Sequence, residues 1–339
     1  WLSEGISVYE ERQASPAWGQ RMTPRYREMI LGNELTPISR LSGAFLSPKT
    51  GEHLQFAYYE SSLVVGHIVE RFGLESIRKI LRDLSQGVKI NVAIEKHTEP
   101  MKKLELEFAK YAKAKAERLA PELQWDKPDP RELRANIEEL VKKHPKNFYI
   151  LSQQARRAIN ARDWEASKEH CKKLIKLFPR HNGGANNPYV LLAKAHRELK
   201  EFSEERKTLE TLAGMSDDAY DVFLRLIELT AEAEDWDAVR LNCERALAVN
   251  PLLPQPHRQL AIAAEAQNRP KSAIESWQTL LELDPLDPAE PHYHLALLLR
   301  ETDNAKAKRH LLMALEVAPR FRKALRLLLD WEKDNEAKR

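Results

Sequence analysis

Residues 246–251, with the sequence ALAVNP, recur 34 residues later as residues 280–285, LLELDP, and again as residues 314–319, ALEVAP. Each copy is an apolar run that ends in proline, and residues 174–179, LIKLFP, follow the same pattern earlier in the chain. Proline ends a helix because its ring clashes with the preceding turn and disfavours helix at the residue before it. The spacing therefore predicts repeated helical units that each end near a proline.

The same register continues through the intervening sequence. Asp163-Trp164 and Asp235-Trp236 stand 15 residues before a repeat end, and Glu201-Phe202 takes the equivalent place in a unit stretched by 4 residues. The extra residues fall in the turn-forming run 181–187, HNGGANN. An acidic residue followed by an aromatic one marks the turn between two helices. We therefore predict five hairpins, at residues 146–179, 180–217, 218–251, 252–285 and 286–319, with helix ends within two or three residues of Pro145, Pro179, Asp217, Pro251, Pro285 and Pro319.

This pattern resembles the tetratricopeptide repeat family, whose period is also about 34 residues. One such hairpin cannot bury its own apolar stripe, so neighbouring hairpins stack into a continuous core. The resemblance implies a helical-hairpin solenoid that binds a protein or peptide in a concave groove lined by the first helix of each hairpin. Residues 130–145 are expected to form a leading helix and residues 320–337 a capping helix.

The family pattern also indicates which side chains face the groove. Mapping the repeats onto it places five basic residues there: Arg156, Lys194, Arg197, Arg225 and Arg258. They do not reproduce the Lys/Asn set with which some tetratricopeptide domains clamp a C-terminal carboxylate. The hypothesis is an acidic or extended peptide ligand held by guanidinium hydrogen bonds. The alternative is that several of these cations are simply solvated.

The cysteines and histidines fit structural positions better than chemistry. Cys171 and Cys243 each stand eight residues before their repeat proline, where Leu209, Trp277 and Leu311 stand in the other hairpins. We therefore predict buried, unpaired thiols, since free cysteine behaves as a small apolar residue. His292 and His294, two apart on a first helix, face different directions and do not make a metal pair. The sequence contains no H-E-x-x-H, C-x-x-C, phosphate-binding glycine loop or nucleophile elbow.

Composition limits the classes of partner. The formal net charge is only +3 with 31% charged residues, which gives no strong attraction to nucleic acid. No run of 18 apolar residues is present, so we expect no membrane span in this sequence. Because the first residue is Trp1 and no signal-like segment follows, we expect the chain to be the C-terminal part of a longer product.

Residues 1–120 do not follow the 34-residue period. Helices are predicted near residues 1–10, 54–72, 74–84, 91–97 and 102–119, with a proline-containing loop region between the first two and a linker at residues 121–130. In the long helix, Tyr58, Val65, Ile68, Val69 and Phe72 share an apolar face. The predicted organisation is a domain at 1–120, the linker at 121–130, and repeats with their flanking helices at 131–339.

The first ten residues, WLSEGISVYE, resemble the W-x-x-E-G-x-A-x-Y segment of gluzincins, zinc metallopeptidases of the peptidase MA clan. Residues 56–61, FAYYES, and 69–73, VERFG, also resemble the C-terminal helices of such domains. The resemblance implies that Glu4 is the third zinc ligand and that Tyr58, or alternatively Tyr59, supports the oxyanion. The plain alternative for Glu4 is an acidic residue in the first turn of a helix, where the helix dipole favours it.

The chain departs from gluzincins in lacking the helix with H-E-x-x-H, which supplies two zinc ligands and the general base. Zinc is therefore expected only in the longer parent, and this chain is expected to bind none and to be inactive. The predicted fold class is all-α, a tetratricopeptide-type solenoid preceded by a mainly helical partial metallopeptidase-like domain. The predicted function is a protein-interaction scaffold attached to that domain, and the alternative is a degenerate, non-catalytic scaffold throughout.

Overall fold

A computed structural model describes residues 1–184 and 186–337. These residues form helices and turns, and their one β feature is an isolated parallel bridge between Gln124 and Asn147. The all-α fold class is therefore confirmed. The chain folds as two compact units, the first spanning Trp1–Ser216 and the second beginning at Asp217.

The N-terminal part of the first unit contains seven α-helices. Their bounds are α1 Leu2–Ala14, α2 Pro24–Leu31, α3 Leu41–Leu46, α4 Gly51–Phe72, α5 Leu74–Ser85, α6 Ile90–His97 and α7 Met101–Glu117. The five predicted helices are all present, but α2 and α3 lie in the region expected to be loop. Thr23 caps α2 by accepting the backbone N–H of Tyr26 at 3.0 Å, and Pro24 occupies the first turn, where its missing N–H costs nothing.

Helix α4 is the centre of this N-terminal core. Val65 and Ile68 on its predicted apolar face are buried, whereas Tyr58, Val69 and Phe72 are half-buried. Helix α1 packs closely on α4 at Gly5. A Cβ atom at Gly5 would lie 2.8 Å from the carbonyl oxygen of Ser61, so only glycine permits this approach.

Helix α4 also carries a buried acid. The Glu60 side chain is fully buried, and its Oε1 accepts the backbone N–H of Thr36 at 2.6 Å. Its Oε2 has no hydrogen-bond partner within the described chain. Burial raises the pKa of Glu60 to about 8, because the charged form loses its hydration. The carboxyl group is therefore largely protonated at neutral pH.

The segment predicted as a linker is ordered and packs on the first hairpin. Gln124 forms both backbone hydrogen bonds of the bridge, donating to Lys146 and accepting from Phe148, each at 2.9 Å. The Trp125 ring stacks on Phe148 with centroids 4.7 Å apart, and the guanidinium of Arg27 lies 4.5 Å from the Trp125 centroid. Residues 121–130 thus fix the N-terminal helices and the first hairpin in one unit.

The hairpin region follows the predicted period. Two short helices, α8 Pro130–Ala135 and α9 Ile137–Lys143, replace the single leading helix, because Asn136 breaks it. The remaining helices of the first unit are α10 Phe148–Ala161, α11 Trp164–Leu177, α12 Pro188–Glu198 and α13 Phe202–Ala213. Those of the second unit are α14 Tyr220–Glu232, α15 Trp236–Val249, α16 Pro254–Ala266, α17 Pro270–Glu282, α18 Ala289–Leu299, α19 Asn304–Val317 and α20 Arg322–Ala337.

Helix ends agree with the proline register in five places and differ in one. Helices α9, α11, α15, α17 and α19 end two or three residues before their prolines. Helix α13 instead ends at Ala213, four residues before Asp217, so the prediction is wrong there by one residue. Gly214, a weak helix former, takes the C-cap position and ends the helix early.

The turns inside the hairpins share an unusual backbone conformation. One residue in each of four hairpins has a left-handed φ, namely Arg162 at 59°, Lys200 at 60°, Glu234 at 55° and Asn268 at 54°. In two hairpins the next residue is an aspartate whose side chain caps the second helix: Asp163 accepts from the N–H of Ala166, and Asp235 from that of Ala238. This explains the acidic residue before each tryptophan.

The shared core position of the second helices is buried throughout. Cys171, Leu209, Cys243, Trp277 and Leu311 are each at most 4% exposed. Neither cysteine forms a disulfide. The prediction of buried, unpaired thiols is confirmed, and Trp277 at the same position is buried as well.

Candidate protein-binding groove

The five basic residues predicted to face the groove fall into two groups. Arg156 on α10 and Lys194 on α12 occupy the same place in successive hairpins of the first unit, 38 residues apart because of the 4-residue insertion. Both side chains are exposed, and neither has a hydrogen-bond or ion-pair partner within residues 1–184 and 186–337. These two cations are free to meet a ligand.

The other three are held by carboxylates of the chain itself. The Nε of Arg197 lies 2.7 Å from Oε1 of Glu205, which is fully buried on α13. Within the second unit, Arg225 pairs with Glu228 one turn along α14, at 2.8 Å. The placement of these side chains therefore favours internal pairing over ligand binding.

Arg258 makes the most extensive of these pairs. Its Nε and Nη2 both lie 2.6 Å from the carboxylate oxygens of Glu290, joining α16 to α18 in a bidentate pair. The hydrogen bonds to Glu290 raise the pKa of Arg258, and those from Arg258 lower the pKa of Glu290. A second link between the same helices joins His294 to Glu265 at 2.9 Å. The charge of Arg258 is thus balanced within the unit.

A cleft of about 710 Å³ opens within the first unit. Helices α2 and α4 border it on one side, and α10, α12 and the loop around His181 border it on the other. Phe148, Leu174 and Leu191 contribute apolar surface, and Ser152 and Arg156 contribute polar groups. A mostly apolar cleft of this size with a few polar groups is typical of a ligand site.

On the α2 side of the cleft two acids are balanced by Arg25 together with Lys127, whose Nζ lies 3.5 Å from Glu28. Arg25 pairs with Glu28 at 3.3 Å and with Glu52 at 3.0 Å. The hydroxyl of Tyr149 donates to the other oxygen of Glu28 at 2.6 Å, which ties α2 to α10. Arg156 is therefore the cation bordering the cleft whose charge is not balanced by a neighbouring acid.

His181 adds a neutral aromatic surface. Its ring stacks on Phe178 with centroids 5.0 Å apart and lies 5.4 Å from the Phe148 centroid. Burial, with a smaller contribution from the charge of Arg156, lowers the pKa of His181 to about 4. The imidazole is therefore uncharged at neutral pH, and its Nδ1 has no hydrogen-bond partner among the described residues.

The two residues singled out by the gluzincin resemblance lie on adjacent helices. Glu4 is exposed on α1, and its carboxylate makes no hydrogen bond or ion pair to the described part of the chain. Tyr58 is half-buried on α4, with its ring 5.0 Å from that of Phe45. Among the described residues there is no cluster of three or more His, Cys, Asp or Glu side chains that could hold a metal ion. The donor set therefore does not fit a zinc site.

Part of this site escaped the sequence analysis. The α2 wall was missed, although Thr23 followed by Pro24 is a helix-start signal that could have revealed it. The ion pairs of Arg197 and Arg258 join different helices and could not be read from the local sequence. The Arg225–Glu228 pair, by contrast, has an i,i+3 spacing within one helix that the sequence does show. Of the helices described, none is long and apolar enough to cross a bilayer.

Comparison with known proteins adds structural likeness only. No family model matches the sequence, and no curated protein does. Similar solved structures include YrrB, described as a TPR protein with an unusual peptide-binding site, at 17% identity and TM-score 0.45, covering 57% of this chain and 97% of YrrB. The MamA protein is 15% identical with TM-score 0.42, over 52% of this chain and 93% of MamA.

The structure of Naa15/Naa10 bound to HypK is 18% identical with TM-score 0.48, over 62% of this chain and 32% of the matched chain. At these low identities and TM-scores, the tetratricopeptide-like description rests on the helix register of the chain itself.

Proposed function

We propose that this chain is a protein-interaction scaffold and that its first two hairpins hold an extended segment of a partner protein. The observation that carries the proposal is the 710 Å³ cleft with apolar surface and one unbalanced cation, Arg156. Apolar surface favours burial of a partner side chain, and an exposed guanidinium offers a bidentate site for a carboxylate. The ligand class that fits is a peptide with an acidic residue beside an apolar one.

Lys194 indicates a preference for a second acidic residue further along the peptide ligand. It repeats the position of Arg156 on the next first helix. Neighbouring helices pack about 8–10 Å apart, and an extended peptide rises about 3.3 Å per residue. Two acidic residues about three positions apart could therefore reach both cations. We assign Arg197, Arg225 and Arg258 to internal pairs rather than to this ligand.

A peptide selection tests the proposal. Phage carrying random twelve-residue peptides would be selected on the immobilised chain, and enriched peptides would be synthesised and titrated by calorimetry. We expect acidic residues next to apolar ones, and we expect Ser152→Trp to abolish binding by filling the cleft. Asn160→Trp, exposed on the same helix away from the cleft, is the matched control. Equal affinity for both variants would rule out the cleft as the binding site.

A second proposal concerns ancestry. We propose that residues 1–120 correspond to the C-terminal part of a gluzincin-like domain, followed by the connecting segment 121–130 and the repeat region 131–339. The close packing of α1 on α4 at Gly5 favours it, because the glycine of the resembling segment has a steric role there. The exposed, unpaired Glu4 carboxylate is compatible with a ligand role in a longer parent. The competing proposal is a degenerate scaffold throughout.

The metal content of the longer parent distinguishes the gluzincin-like proposal from the degenerate scaffold. If the parent carries H-E-x-x-H, Glu4→Gln should lose zinc and peptidase activity together, whereas Tyr58→Phe should keep zinc and lose activity. A parent that contains no zinc by atomic absorption would leave the degenerate scaffold as the answer, and full zinc content in Glu4→Gln would overturn the ligand role of Glu4. The chain described here is expected to bind no zinc in the same assay, because a single carboxylate lacks the imidazole ligands.

A further inference from the structure

Leu286 projects from the turn between α17 and α18 and is fully exposed, at 108% of its reference area. Leu252 takes the same position one hairpin earlier and is 71% exposed, whereas Arg320 takes it one hairpin later. A large apolar side chain held completely in water loses the free energy that burial would give. A single exposed leucine is common on protein surfaces, so its surroundings decide whether it belongs to an interaction site.

A cleft of about 510 Å³ is lined by Asp287, the residue that follows Leu286 in the chain. Ala289, Ala318, Pro319 and Phe321 supply most of its apolar lining. The Phe321 ring is fixed by Tyr293, with centroids 5.0 Å apart, so this surface is held in place. The cleft has room for an inserted apolar side chain of the size of leucine.

The rims of the cleft carry opposite charges. Asp287 stands beside Leu286 and Arg320 on the facing turn, and both are exposed. Asp287 accepts the backbone N–H of Ala289 at 3.1 Å through one oxygen. Neither Asp287 nor Arg320 forms an ion pair with the described residues, although both border the same cleft. The third charged residue of the lining, Glu290, is occupied by Arg258.

We propose that this surface binds a second copy of the chain across a two-fold axis. Leu286 of each copy enters the cleft of the other, and Asp287 of each copy pairs with Arg320 of the other. An interface of this kind requires that one chain carry both halves of every contact. The leucine, the cleft, the acid and the base all lie on the turns before α18 and α20, which meets that requirement.

The choice of a second copy over an unrelated partner follows from this self-complementarity. A foreign partner would have to bring its own pocket for Leu286 and its own pair of opposite charges, whereas this chain already carries both. A second copy buries both leucines and satisfies both rim charges at once. The surface lies outside the peptide cleft of the first unit, so this proposal stands or falls independently of the proposed function.

Sedimentation velocity over a range of protein concentrations tests the proposal. The wild-type chain should show a reversible monomer–dimer equilibrium, and Leu286→Glu should weaken it at least about tenfold, as expected for a central apolar contact. Leu286 makes no buried contact in the monomer, so this substitution should leave the circular dichroism spectrum unchanged. Leu252→Glu is the matched control and should dimerise like the wild type.

A charge exchange then tests the geometry. Arg320→Asp alone should weaken the dimer, because two acids then face each other, and Asp287→Arg combined with Arg320→Asp should restore it. A wild-type chain that stays monomeric at every concentration overturns the proposal. So does a dimer that Leu286→Glu leaves intact, or one that the charge exchange fails to restore.

Discussion

The hairpins of the first and second units share one 34-residue register but use their basic residues differently. In the first unit, Arg197 is held by Glu205, but Arg156 and Lys194 are exposed and unpaired beside or near a cleft. In the second unit, Arg258 is held by Glu290, and Arg225 by Glu228. The repeat period sets where a first-helix side chain lies. Whether its charge can serve a ligand depends on the acid that a neighbouring residue contributes.

The core position shared by both units gives the largest expected effect. Trp277→Ala should reduce the free energy of unfolding of the second unit by about 3–5 kcal/mol, because it removes a fully buried ring and leaves a cavity. Cys171→Ala at the same position of the first unit removes one buried sulfur atom and should cost far less. Urea unfolding followed by circular dichroism measures both. Equal losses of stability would contradict the expectation that the cost depends on the size of the side chain removed from this core position.

The two units also contain carboxyl groups with opposite pKa shifts. Burial raises the pKa of Glu60 to about 8, so the folded state keeps a proton that the unfolded state releases above its ordinary pKa of 4.5. Wild-type stability should therefore fall by about 1.4 kcal/mol per pH unit across that window. Glu60→Gln should remove this loss and be more stable than the wild type by about 4 kcal/mol at pH 8.

Glu290 supplies the control of opposite sign. Arg258 lowers its pKa, so its contribution is present above the unfolded pKa and is lost as pH falls through the folded value. Glu290→Gln should therefore be less stable than the wild type at pH 7, and the difference should shrink in acid. Urea titrations at a series of pH values measure both variants. A Glu60→Gln stability difference that does not grow with pH would contradict the buried, protonated carboxyl group.

Removing the paired arginine should reduce the free energy of unfolding more than removing the unpaired one. Arg258→Ala should cost about 1 kcal/mol, a modest value because the pair is partly exposed to solvent. Arg156→Ala should change stability by less than about 0.5 kcal/mol, since this side chain has no partner to lose. Chemical denaturation of the two variants provides the test. A larger loss for Arg156→Ala would mean that its guanidinium has a structural role.

The smallest expected change in stability comes from substitutions in the turns inside the hairpins. Lys200 has a φ of 60°, where a side chain is strained and glycine is not. Lys200→Gly should therefore stabilise the first unit by about 0.5 kcal/mol, the relief of strain being partly offset by the greater freedom of the unfolded chain. Lys172→Gly within α11 should instead cost about 1 kcal/mol. Thermal unfolding should show shifts of opposite sign, and a destabilising Lys200→Gly would contradict the left-handed geometry.

Sequence reasoning succeeded where local chemistry and period suffice. The proline register located the hairpins, and the core position of Cys171 and Trp277 followed from the same count. It failed at α13, where Gly214 ended the helix early, and at α2, where a single turn signal was hidden among prolines. Helices were predicted correctly where the sequence signal for their ends is strong, and incorrectly where that signal is weak.

The candidate site was harder to predict because it depends on contacts between distant segments. Sequence position could place Arg156 and Arg258 on first helices. It could not show that Glu290 neutralises one of them, or that α2 would close a cleft beside the other. The left-handed turn residues were equally hidden, since arginine, lysine and glutamate there give no signal of a positive φ.

The central claim, that only the unpaired cations serve a ligand, is tested most directly by calorimetric titration of one selected acidic peptide. The account predicts that Arg156→Ala weakens binding about tenfold or more, through loss of a charge-assisted bidentate hydrogen bond. It predicts that the double variant Arg258→Ala with Glu290→Ala, which removes the internal pair without leaving a lone charge, binds like the wild type. Full affinity in Arg156→Ala together with weakened binding in the double variant would contradict the account.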